Sequence, residues 1–202
     1  SGEFIQFLDS DDLLCHTKFE LQVRALRENP KSDIAYGKTS YLKNSGERLL
    51  PWLCTGMEFE TLFPAMLRGR IWGTSTPLYR RVLFPAAGPF TALSNEEDWE
   101  MDCRIASLGA RLVLVDTWAS EEREIAVIRA SNDGGSDPKK LRDRAKAREL
   151  ILGHALLAHV SPESDEFTAF VKGSFLVARQ CAAAGLVTEA ETLVRHLNKV
   201  AP

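Results

Sequence analysis

The chain has 202 residues, of which 45% are hydrophobic, so it can fill the core of one large domain or of a medium domain with an appendage. Its formal net charge is −3 and no basic run stands out, so charge excludes a general attraction to nucleic acid or to an anionic membrane. No apolar stretch approaches the roughly 20 residues that a transmembrane helix needs. We therefore predict a globular protein of the cytoplasm, or one peripheral to the inner face of a membrane.

The first predicted element is a short apolar strand that ends in a cluster of aspartates, Asp9-Ser10-Asp11-Asp12. Residues two apart on a strand share a face, so Asp9 and Asp11 are predicted to project together. A hard divalent cation, Mg²⁺ or Mn²⁺, would relieve their repulsion, because it prefers carboxylate oxygens and commonly bridges to substrate phosphates. The pattern favours a metal and diphosphate site. The alternative, a helix N-cap, explains one aspartate only.

Strand and helix alternate over the next hundred residues. Apolar periodicity, with Gly, Pro and Asn as stops, sets the predicted boundaries. In chain order we first predict a helix over 16–28, a short strand at 34–36 and a hairpin or loop excursion around the turn at 43–46. A helix over 58–68 and a segment of strand and turn over 71–84 are predicted next. The last predicted elements are a helix that opens at 96–99 and a buried strand at 112–115 that ends at Asp116. This alternation is typical of an α/β fold.

The last third of the chain is predicted to be helical. A polar, Gly-rich stretch at 132–138 precedes it, and nearly everything beyond favours helix. The segments 167–184 and 188–200, with Gly185 as the break, resemble one helix pair of the kind used in tetratricopeptide arrays. We expect this pair to cover apolar surface or to mediate self-association, and we assign it no chemistry.

Four cysteines are scattered along the chain, and no two form a Cys-x-x-Cys pair. This spacing argues against a zinc site and fits a reducing compartment, so buried free thiols are expected. The cysteines are Cys15, Cys54, Cys103 and Cys181.

Four segments match one known family in order and in separation. They are Phe-Ile-Gln-Phe-Leu-Asp-Ser-Asp-Asp at 4–12, the helix that follows it to Pro30, Ile-Ala-Tyr-Gly at 34–37, and Glu-Asp-Trp at 97–99. Together they resemble the GT-A glycosyltransferases of family 2, over about residues 2–133. The resemblance implies an α/β, partial GT-A (Rossmann-like) core over 1–136 and an α-helical appendage over 137–202.

The resemblance also implies an activity, the transfer of a sugar from a nucleotide-diphosphate donor with inversion at the sugar. The donor is expected to be a UDP-sugar. The acceptor is expected to be a carbohydrate, a lipid-linked intermediate or a protein. In this family the Asp-x-Asp pair, here Asp9 and Asp11, engages the donor through Mn²⁺ or Mg²⁺, with Asp11 as the direct ligand. Asp98 takes the position of the catalytic base. These roles fit the reaction, since transfer needs a cation for the leaving diphosphate and a base for the acceptor hydroxyl. The alternative for Asp98 is an ordinary first-turn acid of a helix.

Two features depart from the family pattern. Members usually carry a nucleotide-binding strand–helix half before the Asp-x-Asp strand, whereas this chain begins at that strand. We therefore expect a fragment of a larger enzyme or a truncated gene, with the absent segment or a second copy of the chain as candidate protein partners. Many members also carry a histidine or arginine after the last strand that reaches the diphosphate, and Arg129 is the nearest candidate. Further candidates for a phosphate or acceptor pocket are Thr74-Ser75-Thr76 and Arg80-Arg81. For the two arginines, however, the sequence favours solvated surface.

Two other functions stay open. A phosphatase of the haloacid dehalogenase class also places Asp-x-Asp after an apolar strand and uses the first aspartate as nucleophile. Here Asp12-Leu13 stands where that class has small or hydroxyl residues. The second alternative is a catalytically inactive fragment whose helical tail binds a partner. It predicts no response to metal and a concentration-dependent association.

Overall fold

The computed structural model describes residues 2–50, 54–123 and 137–200. The described residues form two compact units that interleave along the sequence. Unit 1 is drawn from Ser1–Leu62, Ile71–Gly88 and Gly109–Arg129, and unit 2 from Phe63–Arg70, Pro89–Leu108 and Ala130–Pro202. The predicted domains, 1–136 and 137–202, are instead divided by a single cut in the sequence, and that division stays a prediction.

Unit 1 is built on a mixed β-sheet. Its strands are β1 (Phe4–Ile5), β2 (Leu13–Leu14), β3 (Ile34–Leu42), β4 (Arg48–Leu49), β5 (Leu78–Arg80) and β6 (Leu112–Arg123). They lie in the order β1-β5-β3-β6-β2, and β4 pairs with β3. The β3–β6 pair is parallel, whereas the other pairs are antiparallel. Because β3 and β4 pair across the turn at 43–46, the predicted hairpin is confirmed.

Helix α1 (Lys18–Glu28) packs on this sheet. Its buried Leu26 contacts Ala35 and Leu78 in a small apolar core. The helix ends where predicted, because the N–H of Asn29 caps the carbonyl of Ala25 and proline follows. Unit 1 also contains the short helix α2 (Phe84–Ala87), after a 3₁₀ turn at Arg81–Leu83.

Strands β3 and β6 are longer than the predicted segments at 34–36 and 112–115. The prediction that Asp116 ends the last strand is wrong, because β6 continues with an exposed Asp116 that pairs with Lys38 of β3 at 2.5 Å. Between these strands the register shifts, and Gly37 allows their close approach, since a Cβ there would lie 2.7 Å from the carbonyl oxygen of Thr117.

The predicted helix over 58–68 is wrong. Only Ala65–Arg68 forms a single 3₁₀ turn. Pro64 lies in the middle of the predicted segment, and a proline there both lacks the N–H needed by a helix and disfavours helical backbone at the preceding residue. The apolar spacing of this segment therefore reflects burial without a helix.

Unit 2 is helical. It contains α3 (Glu97–Ser107), α4 (Pro138–Leu157), α5 (Asp165–Ala183) and α6 (Val187–Asn198). The side chain of Asp137 caps α4 at the N–H of Lys139 (2.8 Å), and Gly185, with a φ of 78°, separates α5 from α6 as predicted. Helix α4 contacts α3, α5 and α6. None of the helices within the described ranges is both long and apolar enough to cross a bilayer.

Candidate functional site

The aspartate cluster at 9–12 forms a turn between β1 and β2, which we call the acidic turn. It is closed by a hydrogen bond of 3.1 Å from the N–H of Asp12 to the carbonyl of Asp9. Asp9 is exposed and Asp11 is half-buried. The prediction that these residues extend a strand is wrong, because β1 ends at Ile5 and Asp and Ser favour turns. The two-residue periodicity of a strand therefore does not set the directions of their side chains.

Two side chains from other parts of unit 1 hold the backbone of the acidic turn. The N–H of Asp9 donates to the hydroxyl of Ser75 at 3.1 Å. The guanidinium Nε of Arg123, at the end of β6, donates to the carbonyl of Asp11 at 2.7 Å. The sequence analysis did not identify Arg123, and no local pattern could have done so, because the two residues are 112 positions apart.

A buried polar cluster supports Ser75. Gln6 Nε2 donates to the carbonyl of Ser75 (3.0 Å), and Gln22 Nε2 donates to the carbonyl of Thr76 (3.1 Å). The ammonium of Lys18 joins the two amides, donating to Gln22 Oε1 at 2.6 Å and to Gln6 Oε1. Lys18 is fully buried, and this burial lowers its pKa to about 7, opposed in part by Cys15.

The hydroxyl-rich segment and the arginine pair have structural partners. Thr76 is buried between Thr39 (2.5 Å) and Ser120 (2.7 Å), with which it shares hydroxyl hydrogen bonds. The prediction of solvated surface is wrong for Arg80, which is half-buried and donates to the carbonyls of Ser32 (2.8 Å) and Leu26. Arg81 is exposed.

The carboxylates of the acidic turn have the chemistry that a hard divalent cation prefers. Across residues 2–50, 54–123 and 137–200, however, no group of three His, Cys, Asp or Glu side chains is arranged to hold a metal ion. Asp9 and Asp11 would therefore leave most of the coordination sphere to water and diphosphate oxygens, which is the usual situation for Mg²⁺ at substrate phosphates. The donor set fits such an ion, and the requirement for it stays a prediction.

Asp98 belongs to unit 2 and lies in the first turn of α3. Its side chain is 30% exposed, and its Oδ2 lies 3.4 Å from Nη1 of Arg70. The same guanidinium lies 3.1 Å from the carboxylate of Asp102, one turn further along α3. Arg70 therefore orients a carboxylate that solvent still reaches. Arg129 lies outside the described residues, and the assigned roles of Asp9, Asp11, Asp98 and Arg129 all stay predictions.

Comparison with known proteins adds independent evidence. The sequence matches no protein-family model. It is 29% identical over 170 residues, 80% of this chain, to an uncharacterized glycosyltransferase of Rickettsia bellii (strain RML369-C). The chain spans 23% of the length of that relative.

Among solved structures, the fold matches that of S. aureus TarS 1–349, solved in complex with UDP-GlcNAc. The match has a TM-score of 0.63 and 16% sequence identity, and it covers 99% of this chain and 67% of TarS 1–349. The chain is thus similar in sequence to a glycosyltransferase and similar in fold to TarS. The predicted resemblance and the α/β fold class are thereby confirmed.

Proposed function

We propose that this chain takes part in transferring a sugar from a nucleotide-diphosphate donor to an acceptor hydroxyl, with a divalent metal and with inversion at the sugar. The observation that carries the proposal is the acidic turn, held by Ser75 and Arg123 in a glycosyltransferase-like fold. A UDP-sugar is the proposed donor, since TarS was solved with UDP-GlcNAc. The acceptor class is a carbohydrate, a lipid-linked intermediate or a protein, and the proposed location is the cytoplasm.

In this proposal Asp11, together with Asp9, holds Mn²⁺ or Mg²⁺. When bound, the cation stabilises negative charge on the leaving diphosphate. Asp98 accepts the proton of the acceptor hydroxyl while the acceptor oxygen bonds to the anomeric carbon. The bond from that carbon to the diphosphate oxygen breaks on the opposite face, which inverts the configuration. Arg129 is proposed to contact the diphosphate.

Ligand-induced thermal stabilisation tests the donor site. We expect Mn²⁺ and UDP together, at about 100 times the dissociation constant, to add about 2.7 kcal/mol to the free energy of unfolding. Asp11→Ala should abolish this shift. Asp116→Ala is the matched control, because it removes an exposed aspartate of the same unit outside the acidic turn. A shift that survives in Asp11→Ala would contradict the metal-ligand role.

The division of labour between the aspartates is tested by comparing binding with transfer. Asp98→Asn should keep the Mn²⁺–UDP shift and lower transfer by about 10²- to 10⁴-fold, the usual contribution of a general base. Asp165→Asn, an exposed first-turn aspartate of α5, is the control. Equal loss of donor binding in Asp11→Ala and Asp98→Asn would refute the separate roles.

The same experiments address the alternatives. The absence of any ligand shift, with association that depends on protein concentration, would favour a catalytically inactive binding module. Hydrolysis of a simple phosphomonoester that depends on Asp9 would favour the phosphatase, because Asp9 would then be the nucleophile.

A further inference from the structure

The residue that precedes α3 has an unusual backbone conformation. Glu96 lies in the left-handed region, with a φ of 62° and a ψ of 14°. Residues other than glycine adopt this conformation infrequently, and such strain persists only where the surroundings hold it. Two arginines of α4 surround the Glu96 carboxylate: Arg148 donates through Nε (3.0 Å) and Nη2 (3.1 Å), and Arg144 donates through Nε (3.1 Å).

Arg148 also contacts Trp99, the residue that follows Asp98 in the sequence. Its guanidinium lies over the ring of Trp99, 4.2 Å from the centroid, and 5.7 Å from the ring centroid of Phe170. The Arg148 side chain is only 12% exposed, and that of Glu96 is 15% exposed. One buried guanidinium therefore contacts the residue two before Asp98 and the residue directly after it.

Helix α4 makes a second contact with α3, at Glu100, one helical turn after Glu96. Nε2 of His154 is 2.8 Å from Oε1 of Glu100, and the same oxygen accepts from Nε of Arg104. The hydroxyl of Thr91 donates to the other oxygen, Oε2. Burial alone would raise the pKa of Glu100, but these hydrogen bonds and the charge of Arg104 lower it to about 2. Side chains of α4 thus contact the carboxylates of both Glu96 and Glu100.

Asp98 and Asp102 lie one turn apart on the same helix. Both carboxylates contact the guanidinium of Arg70. Helix α4 therefore contacts Glu96 and Glu100, which lie before and after the proposed base in the sequence.

We propose that Arg148, assisted by Arg144, is a positioning residue that fixes the backbone on both sides of Asp98. This inference rests on the proposed role of Asp98 as the base. It gives one residue of α4 a positioning role in the proposed reaction.

The first test is a double-mutant cycle with Asp98. Arg148→Gln should lower transfer by about 10- to 100-fold, as expected when a reacting group is misplaced by about 1 Å, and should leave the Mn²⁺–UDP thermal shift unchanged. In an Asp98→Asn background the same change should cause no further loss, because the effect passes through Asp98. A purely structural role would lower transfer equally in both backgrounds and would overturn the inference.

Two further variants make this cycle interpretable. Arg142→Gln removes an arginine of the same helix that pairs with Glu189 of α6 at 2.7 Å, and it should leave transfer unchanged. Arg148→Lys keeps the positive charge but loses the bidentate contact with Glu96, so its transfer rate should lie between those of Arg148→Gln and the wild type. If Arg148→Gln does not fold, Arg148→Lys enters the cycle with Asp98→Asn in its place.

Hydrogen exchange gives a readout that does not need activity. Arg148→Gln should accelerate amide exchange about tenfold or more at residues 97–101, and not in α6. If the wild-type chain transfers no sugar but this local acceleration occurs, the proposed function fails while the contact between Arg148 and the start of α3 is upheld. Unchanged exchange at 97–101 would overturn the positioning role, whatever the activity.

Discussion

The two compact units both bury polar side chains behind their proposed functional residues, but with different chemistry. In unit 1 the acidic turn is supported by amides and hydroxyls, and the one charged group of that cluster, Lys18, donates to neutral oxygens. In unit 2 the helix of Asp98 is supported by ion pairs between arginines and the carboxylates of Glu96 and Glu100. Unit 1 therefore buries a cation among neutral amides and hydroxyls, whereas unit 2 buries carboxylates paired with arginines.

This difference determines how each unit should respond to mutation and to pH. Breaking a buried ion pair leaves an uncompensated charge, which is more costly than losing a hydrogen bond between neutral groups. A buried ammonium among amides is unfavourable only while it carries its proton. Because of Lys18, unit 1 should therefore gain stability as the pH rises from about 7 towards 10.5. Unit 2 should instead be sensitive to the removal of single carboxylates.

The largest expected effect is that of Glu100→Gln in unit 2. Glu100 is buried, pairs with Arg104 and shares a hydrogen bond with His154, so removing its charge should cost about 3–5 kcal/mol of the free energy of unfolding. Urea unfolding followed by circular dichroism measures this loss. Glu191→Gln, an exposed change on α6, is the control. A loss below about 1 kcal/mol, the value of an exposed pair, would remove the contrast between the units.

A pH series tests Lys18 in unit 1. Its folded pKa is about 7, below its ordinary value of 10.5, so the unfolded chain binds more protons between these values. The free energy of unfolding should therefore increase as the pH is raised from about 7 to 10.5, by at most about 1.4 kcal/mol per pH unit. Lowering the pH back to 7 should reverse the gain. Lys18→Met should remove this slope, whereas Lys31→Met, at an exposed site of the same unit, should keep it. An equal slope in both variants would show that Lys18 is not its source.

The hydroxyl chain of unit 1 should give a smaller effect. Thr76→Val removes the central hydroxyl between Thr39 and Ser120 and should cost about 1–3 kcal/mol, because buried polar partners are left unsatisfied. None of the three hydroxyls titrates near neutral pH, so the loss should be the same at pH 6 and pH 9. A loss that changes between these pH values would link this chain of hydroxyls to Lys18.

Much of the fold could be predicted because local patterns determine it. The spacing of Phe19, Val23 and Leu26 predicted α1, and the helices of the C-terminal third match their predicted segments. The errors have physical causes. Pro64 prevents a helix that apolar spacing alone suggested, and strands β3 and β6 continue through polar residues after the apolar runs end.

The candidate site was predictable only where it is local in sequence. The acidic turn was identified from adjacent residues, although its conformation was not. Its supports were not identified, because Lys18 is a buried cation, which composition rules place on the surface. Arg148 contacts Glu96 across 52 positions, and nothing in the pattern of α4 distinguishes it from the exposed Arg142.

The smallest expected effects are those of the exposed ion pairs, and they should be equal in the two units. Arg24 lies 2.5 Å from Glu20 in unit 1, and Arg142 lies 2.7 Å from Glu189 in unit 2. Solvent screens such pairs and ordering the side chains costs entropy, so Arg24→Gln and Arg142→Gln should each cost less than about 1 kcal/mol. Raising the salt concentration should reduce both losses further. If Arg142→Gln alone were costly in urea unfolding, unit 2 would depend on its surface charges as well, and the contrast with unit 1 would no longer come from buried groups.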